Sequence, residues 1–319
     1  MPSSPSRRSF LKTAATSAAA APFLLEAAAM DATPLNLPIG LQLYTVGADL
    51  DADPIGTLKK IAAIGYKTVE LSPLAKVSAA DLKKALDDNG LRNPSGHYML
   101  PDLMSKLDEK IAFARQFGQE YMVVTVPWVA DPSKVKADPA GGQMGFFLAL
   151  INGLSLDDWK WNAEQFNKVG EQVKKAGLQL AYHNHNFEFK SFGTTSGYDE
   201  FIRLTDANLV KLELDCGWMR VAGLDPVTYL AKHPDRYRLL HIKDFQAGFT
   251  PRTTLMDSSP GAPVPTELGR GTVDYKPIFA AAHKGKIDAY FVEQEPPFKE
   301  MPAVEAIKVD YDYIKNLKG

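Results

Sequence analysis

Hydrophobic and polar positions repeat in one order along most of this chain. A stretch with the spacing of an amphipathic helix ends at a glycine, and a short apolar or β-branched run follows at once, as in "AAIGYKTVEL", "ARQFGQEYMVVTV" and "VKKAGLQLAYHNH". A glycine just past a helix supplies the left-handed backbone that closes the helix. Helices that alternate with short buried strands are typical of parallel β-α-β units.

This order of elements recurs eight times between residues 39 and 317. It predicts strands at 39–45, 66–71, 92–97, 120–126, 178–185, 209–215, 237–243 and 287–293. It predicts helices at 54–64, 79–89, 101–117, 155–176, 197–206, 225–233, 274–285 and 303–317. Eight strand–helix pairs in about 280 residues match a (β/α)8 TIM barrel, so we predict one α/β barrel domain over residues 31–319. A doubly wound sheet is the alternative, but the chain has no G-x-G-x-x-G or G-x-x-x-x-G-K-[ST] motif to bind a nucleotide.

Two connections are much longer than the others. They span residues 127–154, after the fourth predicted strand, and 244–273, after the seventh. Because both follow strands, both leave the barrel at the face where catalytic loops collect. Long loops there commonly serve as lids or substrate walls, and the alternative is that they are tolerated insertions.

Composition and charge exclude several kinds of partner and site. Lys and Arg number 36 against 38 Asp and Glu, a formal net charge of -2, so we expect no nucleic-acid partner. The one cysteine, Cys216, excludes an intrachain disulfide, a C-x-x-C redox pair and an all-cysteine zinc site. A metal ion would therefore need His, Asp and Glu ligands.

The N-terminus "SRRSFLKTAATSAAAAPFLLEAAAMDA" has a composition of its own. Its first residues fit the S-R-R-x-F-L-K pattern, and an alanine-rich run with small residues suited to cleavage follows, which resembles a twin-arginine export signal. The run is too short and too alanine-rich for a good membrane span. We predict a signal peptide over residues 1–30 and a periplasmic mature protein with no membrane attachment; a disordered basic tail is the alternative.

Polar or titratable side chains stand at the carboxyl ends of six of the eight predicted strands. They are Glu70, His97, His183, His185, Glu188, Asp215, His241, Lys243 and Glu293. Alternation along each strand directs most of them to the barrel axis. Buried carboxylates and lysines need either a cation or a connected hydrogen-bond network. Oxygen and imidazole donors without thiolate suit Mn, Mg, Co, Fe or Zn, so we predict one divalent metal ion.

Five motifs, "YHNHNFEF", "LVKLELDCGW", "LLHIKD", "ELGRGTVDYKPIF" and "YFVEQE", resemble the sugar phosphate isomerase/epimerase family with its xylose-isomerase-like barrel. The resemblance covers about residues 39–317. It implies a divalent ion held by one ligand from each of the last four strands, and it assigns Asp215, His241 and Glu293 to three of them. The strand-five glutamate of the family falls on or beside His183, whereas the nearest glutamate here is Glu188, so both remain candidate ligands.

The resemblance also implies contacts with a substrate. Trp218 stands where relatives often have a histidine, which implies apolar stacking on the substrate. Gln42 and His97 are the other expected substrate-binding residues. Inosose dehydratases, which are barrel relatives, have a similar strand-five motif and an HxHLKD-like strand seven, and this implies that Lys243 faces the substrate.

The implied reaction is acid–base chemistry beside a carbonyl group. The metal polarises the carbonyl, His185 or Glu293 removes a neighbouring proton, and Glu70 or Lys243 returns it or protonates a leaving group. Return to another position isomerises or epimerises the substrate, and loss of a β-substituent gives dehydration or glycoside cleavage. Because phosphorylated sugars are mainly cytoplasmic, we expect an unphosphorylated keto-sugar, inositol derivative or 3-keto-glycoside.

Three rival functions use the same residue types. A repair endonuclease needs a basic groove, and the chain has only six histidines and a net negative charge. A glycosidase would use paired carboxylates without metal, such as Glu188 and Glu293. A non-catalytic periplasmic sugar-binding protein would use Tyr44, Trp128 and Trp218 as stacking platforms. The glycosidase and the sugar-binding protein, like the implied isomerase, would have a small-molecule sugar as partner. A homo-oligomer is also possible for this chain.

Overall fold

The computed structural model describes residues 33–72, 77–256 and 259–317, and the predicted signal peptide lies outside these residues. Eight parallel strands close into a barrel in chain order. The strands are β1 Gly40–Gln42, β2 Thr68–Leu71, β3 Arg92–Tyr98, β4 Tyr121–Val124, β5 Gln179–His183, β6 Val210–Asp215, β7 Tyr237–Ile242 and β8 Ala289–Val292. The predicted (β/α)8 barrel is therefore confirmed.

Helices follow every barrel strand. They are α1 Gly47–Ala52, α2 Pro54–Ile64, α3 Ala79–Asp88, α4 Leu100–Ser105, α5 Leu107–Phe117, α6 Gly142–Gly153, α7 Leu156–Lys175, α8 Gly197–Leu204, α9 Cys216–Val221, α10 Pro226–Lys232, α11 Tyr275–Ala282 and α12 Ala303–Asn316. Within the described residues, no helix combines the length and the apolar character that crossing a membrane requires.

The glycine signals mark helix ends as predicted. Gly118 closes α5 in the left-handed conformation with φ 70°, and its N–H donates to carbonyls of the last turn. Gly177 also has a positive φ, 81°, between α7 and β5. Each glycine reverses the chain within two or three residues, so that the next strand starts on the barrel wall.

Two features of the helix pattern differ from the prediction. The helix expected at 101–117 is interrupted at Lys106, where no glycine or proline marks the break. Helix α6 occupies part of the 127–154 connection, which was expected to lack regular structure. Its sequence "GQMGFFLALING" is apolar on nearly every side, so it carries no amphipathic period that could reveal a helix.

The barrel interior is layered. Six inward-facing residues form a separate apolar cluster: Tyr121, Val123, Ala181, Leu239, Ala289 and Phe291. The residues two positions further along β5, β7 and β8 face the same way, because side chains alternate along a strand. These are His183, His241 and Glu293, so a polar layer lies directly above the apolar layer at the carboxyl end of the barrel.

Candidate functional site

Strand register brings the polar residues of neighbouring strands side by side. Asp215 of β6 is paired in register with His241 of β7. His183 of β5 is paired with Glu213 of β6. Since paired residues of parallel strands point the same way, their side chains meet on the barrel axis.

Four of these side chains form a set that we call the Asp215 group: His183, Asp215, His241 and Glu293. One ligand atom from each lies within 4.8 Å of the others, and all four residues are buried. His183 Nε2 is 3.6 Å from Asp215 Oδ2, and His241 Nδ1 is 2.8 Å from Glu293 Oε2. Asp215 Oδ2 is buried and accepts no hydrogen bond of good geometry. Its nearest cationic group is Lys243 Nζ at 3.1 Å, and the oxygen keeps a lone pair among the imidazoles that a divalent cation would satisfy.

A second set, the Glu213 group, shares two histidines with the first and comprises His97, His183, Glu213 and His241. Glu213 Oε2 lies 2.9 Å from His183 Nδ1 and 3.4 Å from the Nε2 atoms of His97 and His241. The sequence prediction did not include Glu213. Glu213 could have been predicted from its position, because it lies two residues before Asp215 and therefore on the same inward face of the strand.

Glu70 and Gln42 lie beneath the histidines, with no exposed surface. Glu70 Oε2 is 2.7 Å from His241 Nε2 and 2.8 Å from His97 Nε2, and it accepts a hydrogen bond from the Gln42 amide at 2.8 Å. Ser95 donates a further hydrogen bond to Glu70. The predicted catalytic Glu70 and substrate-binding Gln42 are thus part of an internal network and do not line the cavity at the barrel mouth.

His183 and His241 each span the two groups. One ring nitrogen of His183 faces Glu213 and the other faces Asp215. In His241, Nε2 faces Glu70 and Nδ1 faces Glu293. In His183, an Nδ1–H that donates to Glu213 leaves the Nε2 lone pair for a metal ion. In His241, burial would lower the pKa, but the carboxylates at both nitrogens raise it well above the usual value, so a metal ion would replace a proton there. The lower carboxylates therefore fix the orientation of both rings.

The pKa shifts in the site follow from burial and from the charges of neighbouring side chains. Burial, and then the neighbouring Glu70, raise the pKa of Glu213 to about 7. Burial alone would lower the pKa of His97, but Glu70 and Glu213 outweigh it and raise that pKa to about 9. Burial and the surrounding cationic groups hold the pKa of His183 well below its usual range. A neutral His183 is the form that can bind a metal ion.

Lys243 lies among three carboxylates. Its Nζ is 2.6 Å from Glu295 Oε1, 2.8 Å from Glu293 Oε2 and 3.1 Å from Asp215 Oδ2. Burial would lower the pKa of Lys243, but these carboxylates raise it well above its usual value, so the side chain stays charged. Glu295 was absent from the predicted site, although "YFVEQE" places it two residues beyond Glu293 on the same face.

Trp218 packs behind Lys243. The indole Nε1 donates to Glu295 at 2.9 Å, and Lys243 Nζ lies 5.4 Å from the ring centroid. Only 5% of Trp218 is exposed, and it does not line the mouth cavity. The structure therefore places it as support for the wall, where sequence reasoning expected a stacking surface for substrate.

A cavity of about 280 Å³ opens above the Asp215 group. Its polar lining includes His97, His183, His185, Glu293 and Glu295. Its apolar lining includes Tyr44, Met99, Met144, Phe147, Leu255 and Met256. Both long connections, 127–154 and 244–273, supply wall residues.

His185 lines the cavity together with His183 of the same motif, and 17% of its side chain is exposed. Its Nδ1 has no hydrogen-bond partner and lies 3.7 Å from Glu188 Oε1. Its ring stacks on Phe187. Because Nδ1 is buried on the Glu188 side, Nε2 is the ring nitrogen that could accept a proton from a molecule in the cavity.

Glu188 lies outside both groups. It accepts hydrogen bonds from the Tyr182 hydroxyl and the His185 N–H, both at 2.8 Å. Strand β5 ends at His183, and the 3-10 turn Phe187–Phe189 carries Glu188 to the side of the outward-facing Tyr182. Of the two candidate ligands from strand five, the structure brings His183 to the other three and leaves Glu188 apart.

Comparison with known proteins relates this chain to a family of TIM barrels and to enzymes that act on sugars or inososes. The sequence model of the family described as xylose isomerase-like TIM barrel matches residues 58–317. Inosose dehydratase of Clostridium beijerinckii is 26% identical over 278 residues, which are 82% of this chain and 89% of that protein. A sugar phosphate isomerase/epimerase from Parabacteroides distasonis superposes with a TM-score of 0.69 at 24% identity, over 88% of this chain and 98% of the other. The IOLI protein with a bound zinc atom superposes with a TM-score of 0.63 at 14% identity, over 88% and 98%.

Proposed function

This chain belongs to the xylose isomerase-like TIM barrel family, and from that premise we propose that it is a divalent-metal-dependent isomerase or epimerase of sugars. The proposed substrate is an unphosphorylated keto-sugar, inositol derivative or 3-keto-glycoside, and the proposed reaction removes a proton next to its carbonyl. The observation that carries the proposal is the Asp215 group, a buried set of two imidazoles and two carboxylates that opens on a small-molecule cavity.

The Asp215 group would hold the metal ion through His183, Asp215, His241 and Glu293. Two of its members, His183 and Glu293, line the cavity, whereas Glu213 does not, so a cation in this group would be within reach of substrate. When bound, a divalent cation polarises a carbonyl and stabilises negative charge on its oxygen. Mn, Mg, Co, Fe and Zn all suit these donors, and the zinc atom of the IOLI protein supports the assignment.

His185 is the proposed general base. It lines the cavity, its buried Nδ1 lies on the Glu188 side, and Glu188 holds its backbone in place through the His185 N–H. The fixed positive charge of Lys243 lies beside Glu293, where it favours negative charge that develops on a substrate oxygen. The Glu70 carboxylate accepts hydrogen bonds within the internal network and does not line the cavity, so in an isomerisation proton return falls to His185 itself.

A second candidate reaction is elimination, as in a dehydratase or a lyase that cleaves a keto-glycoside. The similarity to inosose dehydratase over 82% of the chain favours this outcome. Both reactions begin with the same proton transfer and differ in whether a β-substituent leaves. The site residues are therefore proposed in the same roles for both.

The experiment is incubation of metal-loaded protein with keto-sugars, inososes and 3-keto-glycosides in heavy water, followed by NMR. Isomerisation or epimerisation would place deuterium in a product of unchanged composition, and elimination would release water or an alcohol. The His185→Asn variant should lose exchange, whereas His233→Asn, outside both groups, should retain it. Binding of a sugar without exchange or turnover would instead support the non-catalytic sugar-binding function.

Export through the twin-arginine route is proposed alongside this activity. The S-R-R-x-F-L-K pattern and the alanine-rich run within residues 1–30 support it. The route carries folded proteins, so the metal ion would be acquired in the cytoplasm, before the mature enzyme acts in the periplasm.

A further inference from the structure

The mouth of the cavity is rimmed by exposed apolar side chains from three separate segments. Five large hydrophobic residues in the described part of the chain are exposed: Tyr44 at 49%, Ile55 at 50%, Met104 at 45%, Met144 at 55% and Met256 at 52%. Three of them, Tyr44, Met144 and Met256, line this one cavity. Apolar side chains scattered singly need no explanation, but a cluster at a ligand opening marks a binding surface.

Each of the three residues is carried there by a different element. Tyr44 lies in the 3-10 turn Leu43–Val46, and its N–H donates to the Gln42 side chain. Met144 is in α6, and Met256 lies in the 244–273 connection. We call these three residues the apolar collar. Phe147, Met99 and Leu255 continue its surface into the cavity.

The collar and the floor differ in chemistry. The floor of the cavity, which is the polar layer of the barrel, has imidazoles and carboxylates, which suit the hydroxyl and carbonyl groups of a sugar. Methionine side chains offer sugar hydroxyls no hydrogen-bond donor and only a weak acceptor. They do adapt to flat aromatic surfaces through the polarisable thioether. The collar is therefore complementary to an apolar group and the floor to a polar one.

The volume of the cavity also indicates that a substituent on a bound sugar would lie against the collar. The cavity of about 280 Å³ is at the lower end of small-molecule sites, which are about 300–1,000 Å³. A sugar ring bound at the floor would occupy most of it. Any group attached to that sugar would extend out of the cavity between the collar residues and would cover their exposed side chains.

We infer that the collar is a second subsite, which binds an aromatic aglycone attached to the sugar. The substrate would then be an aryl keto-glycoside and not a free keto-sugar or inosose. This inference rests on the proposed function, because it takes the reacting sugar to lie above the Asp215 group. It narrows the proposed substrates to the one class that carries an apolar substituent.

The test compares a panel of phenyl and methyl 3-keto-glycosides with the metal-loaded enzyme. We expect kcat/KM for the phenyl members to exceed that for the methyl members by about tenfold or more, as for other apolar pocket contacts. The double variant Met144→Gln and Met256→Gln should bring the two values together by lowering only the phenyl value. Met104→Gln, an exposed methionine outside the cavity, is the matched control and should retain the preference.

A binding measurement tests the collar independently of catalysis. Titration calorimetry with the corresponding unoxidised phenyl and methyl glycosides needs no turnover. A phenyl preference in binding that the double variant abolishes would support the collar even if no substrate reacted. Turnover with equal kcat/KM for phenyl and methyl members, an equal loss of both in the variant, or no phenyl binding at all would overturn it.

Discussion

Replacement of Glu213 tests whether the carboxylates below the histidines control metal binding. Glu213 Oε2 lies 2.9 Å from His183 Nδ1 and accepts a hydrogen bond from it in the Nδ1–H tautomer, in which Nε2 is directed at Asp215. Glu213→Gln keeps one acceptor oxygen but removes the negative charge, and Glu213→Leu removes the acceptor. Loss of such a partner weakens metal affinity by about 10–100-fold, or about 1.4–2.7 kcal/mol. We expect about tenfold for glutamine and about 100-fold for leucine.

A structural defect would give a different result from a lost positioning contact. Glu213→Leu leaves the buried His97 and His183 without this partner and should lower the Tm of the metal-free protein, whereas Glu213→Gln keeps an acceptor oxygen and should change it little. The measurements are Co²⁺ affinity by competition with a chelator, the visible spectrum of bound Co²⁺, and Tm of the metal-free protein. Asp310→Asn, a buried acid outside both groups, is the control for metal affinity. Unchanged affinity in both Glu213 variants, or a loss of affinity in Glu213→Gln that is matched by a fall in its Tm, would refute the positioning role.

Three further predictions concern the metal ligand, the signal and a buried acid. Asp215→Asn should reduce the bound metal from about one ion per chain to nearly none by elemental analysis, because a neutral amide is a poor ligand for these ions; an unchanged metal content would count against the Asp215 group. Replacing Arg7 and Arg8 together by lysine should keep the unprocessed chain in the cytoplasm, measured by fractionation and immunoblotting, and normal export would exclude the twin-arginine route. Burial raises the pKa of Asp310 to about 8, so the stability it provides is complete below about pH 4 and is lost as the pH rises towards 8. Asp310→Asn, which retains an oxygen to accept the Leu268 N–H, should therefore gain stability relative to the natural chain between pH 4 and 8 in urea unfolding, and a constant difference would contradict the raised pKa.

The order of the elements could be predicted because local chemistry encodes it. Gly118 and Gly177 have the positive φ that the helix ends required. The apolar residues of β4 and β8 belong to strands buried on both faces, as parallel strands are. The exception is α6, whose place over the barrel mouth depends on contacts with the rest of the fold and leaves no helical period in its sequence.

The sequence predicted which side chains point into the barrel, but not how far along the barrel axis each of them lies. Alternation along each strand correctly separated the inward His183, Asp215 and His241 from the outward leucines. It could not tell that Glu70 would lie beneath the histidines, because depth depends on how neighbouring strands are staggered around the barrel. It also did not show that Glu188, five residues after His183, would turn away from the axis.

By itself, the sequence determined that this chain folds as a (β/α)8 barrel and that the strand ends carry imidazole and carboxylate groups. Both follow from period and position, which are local properties of the chain. Only the tertiary structure decided which of those groups meet, which ring nitrogen each carboxylate engages, and that Tyr44, Met144 and Met256 rim one opening. These are contacts between residues far apart in sequence, and the register and curvature of the closed sheet determine them.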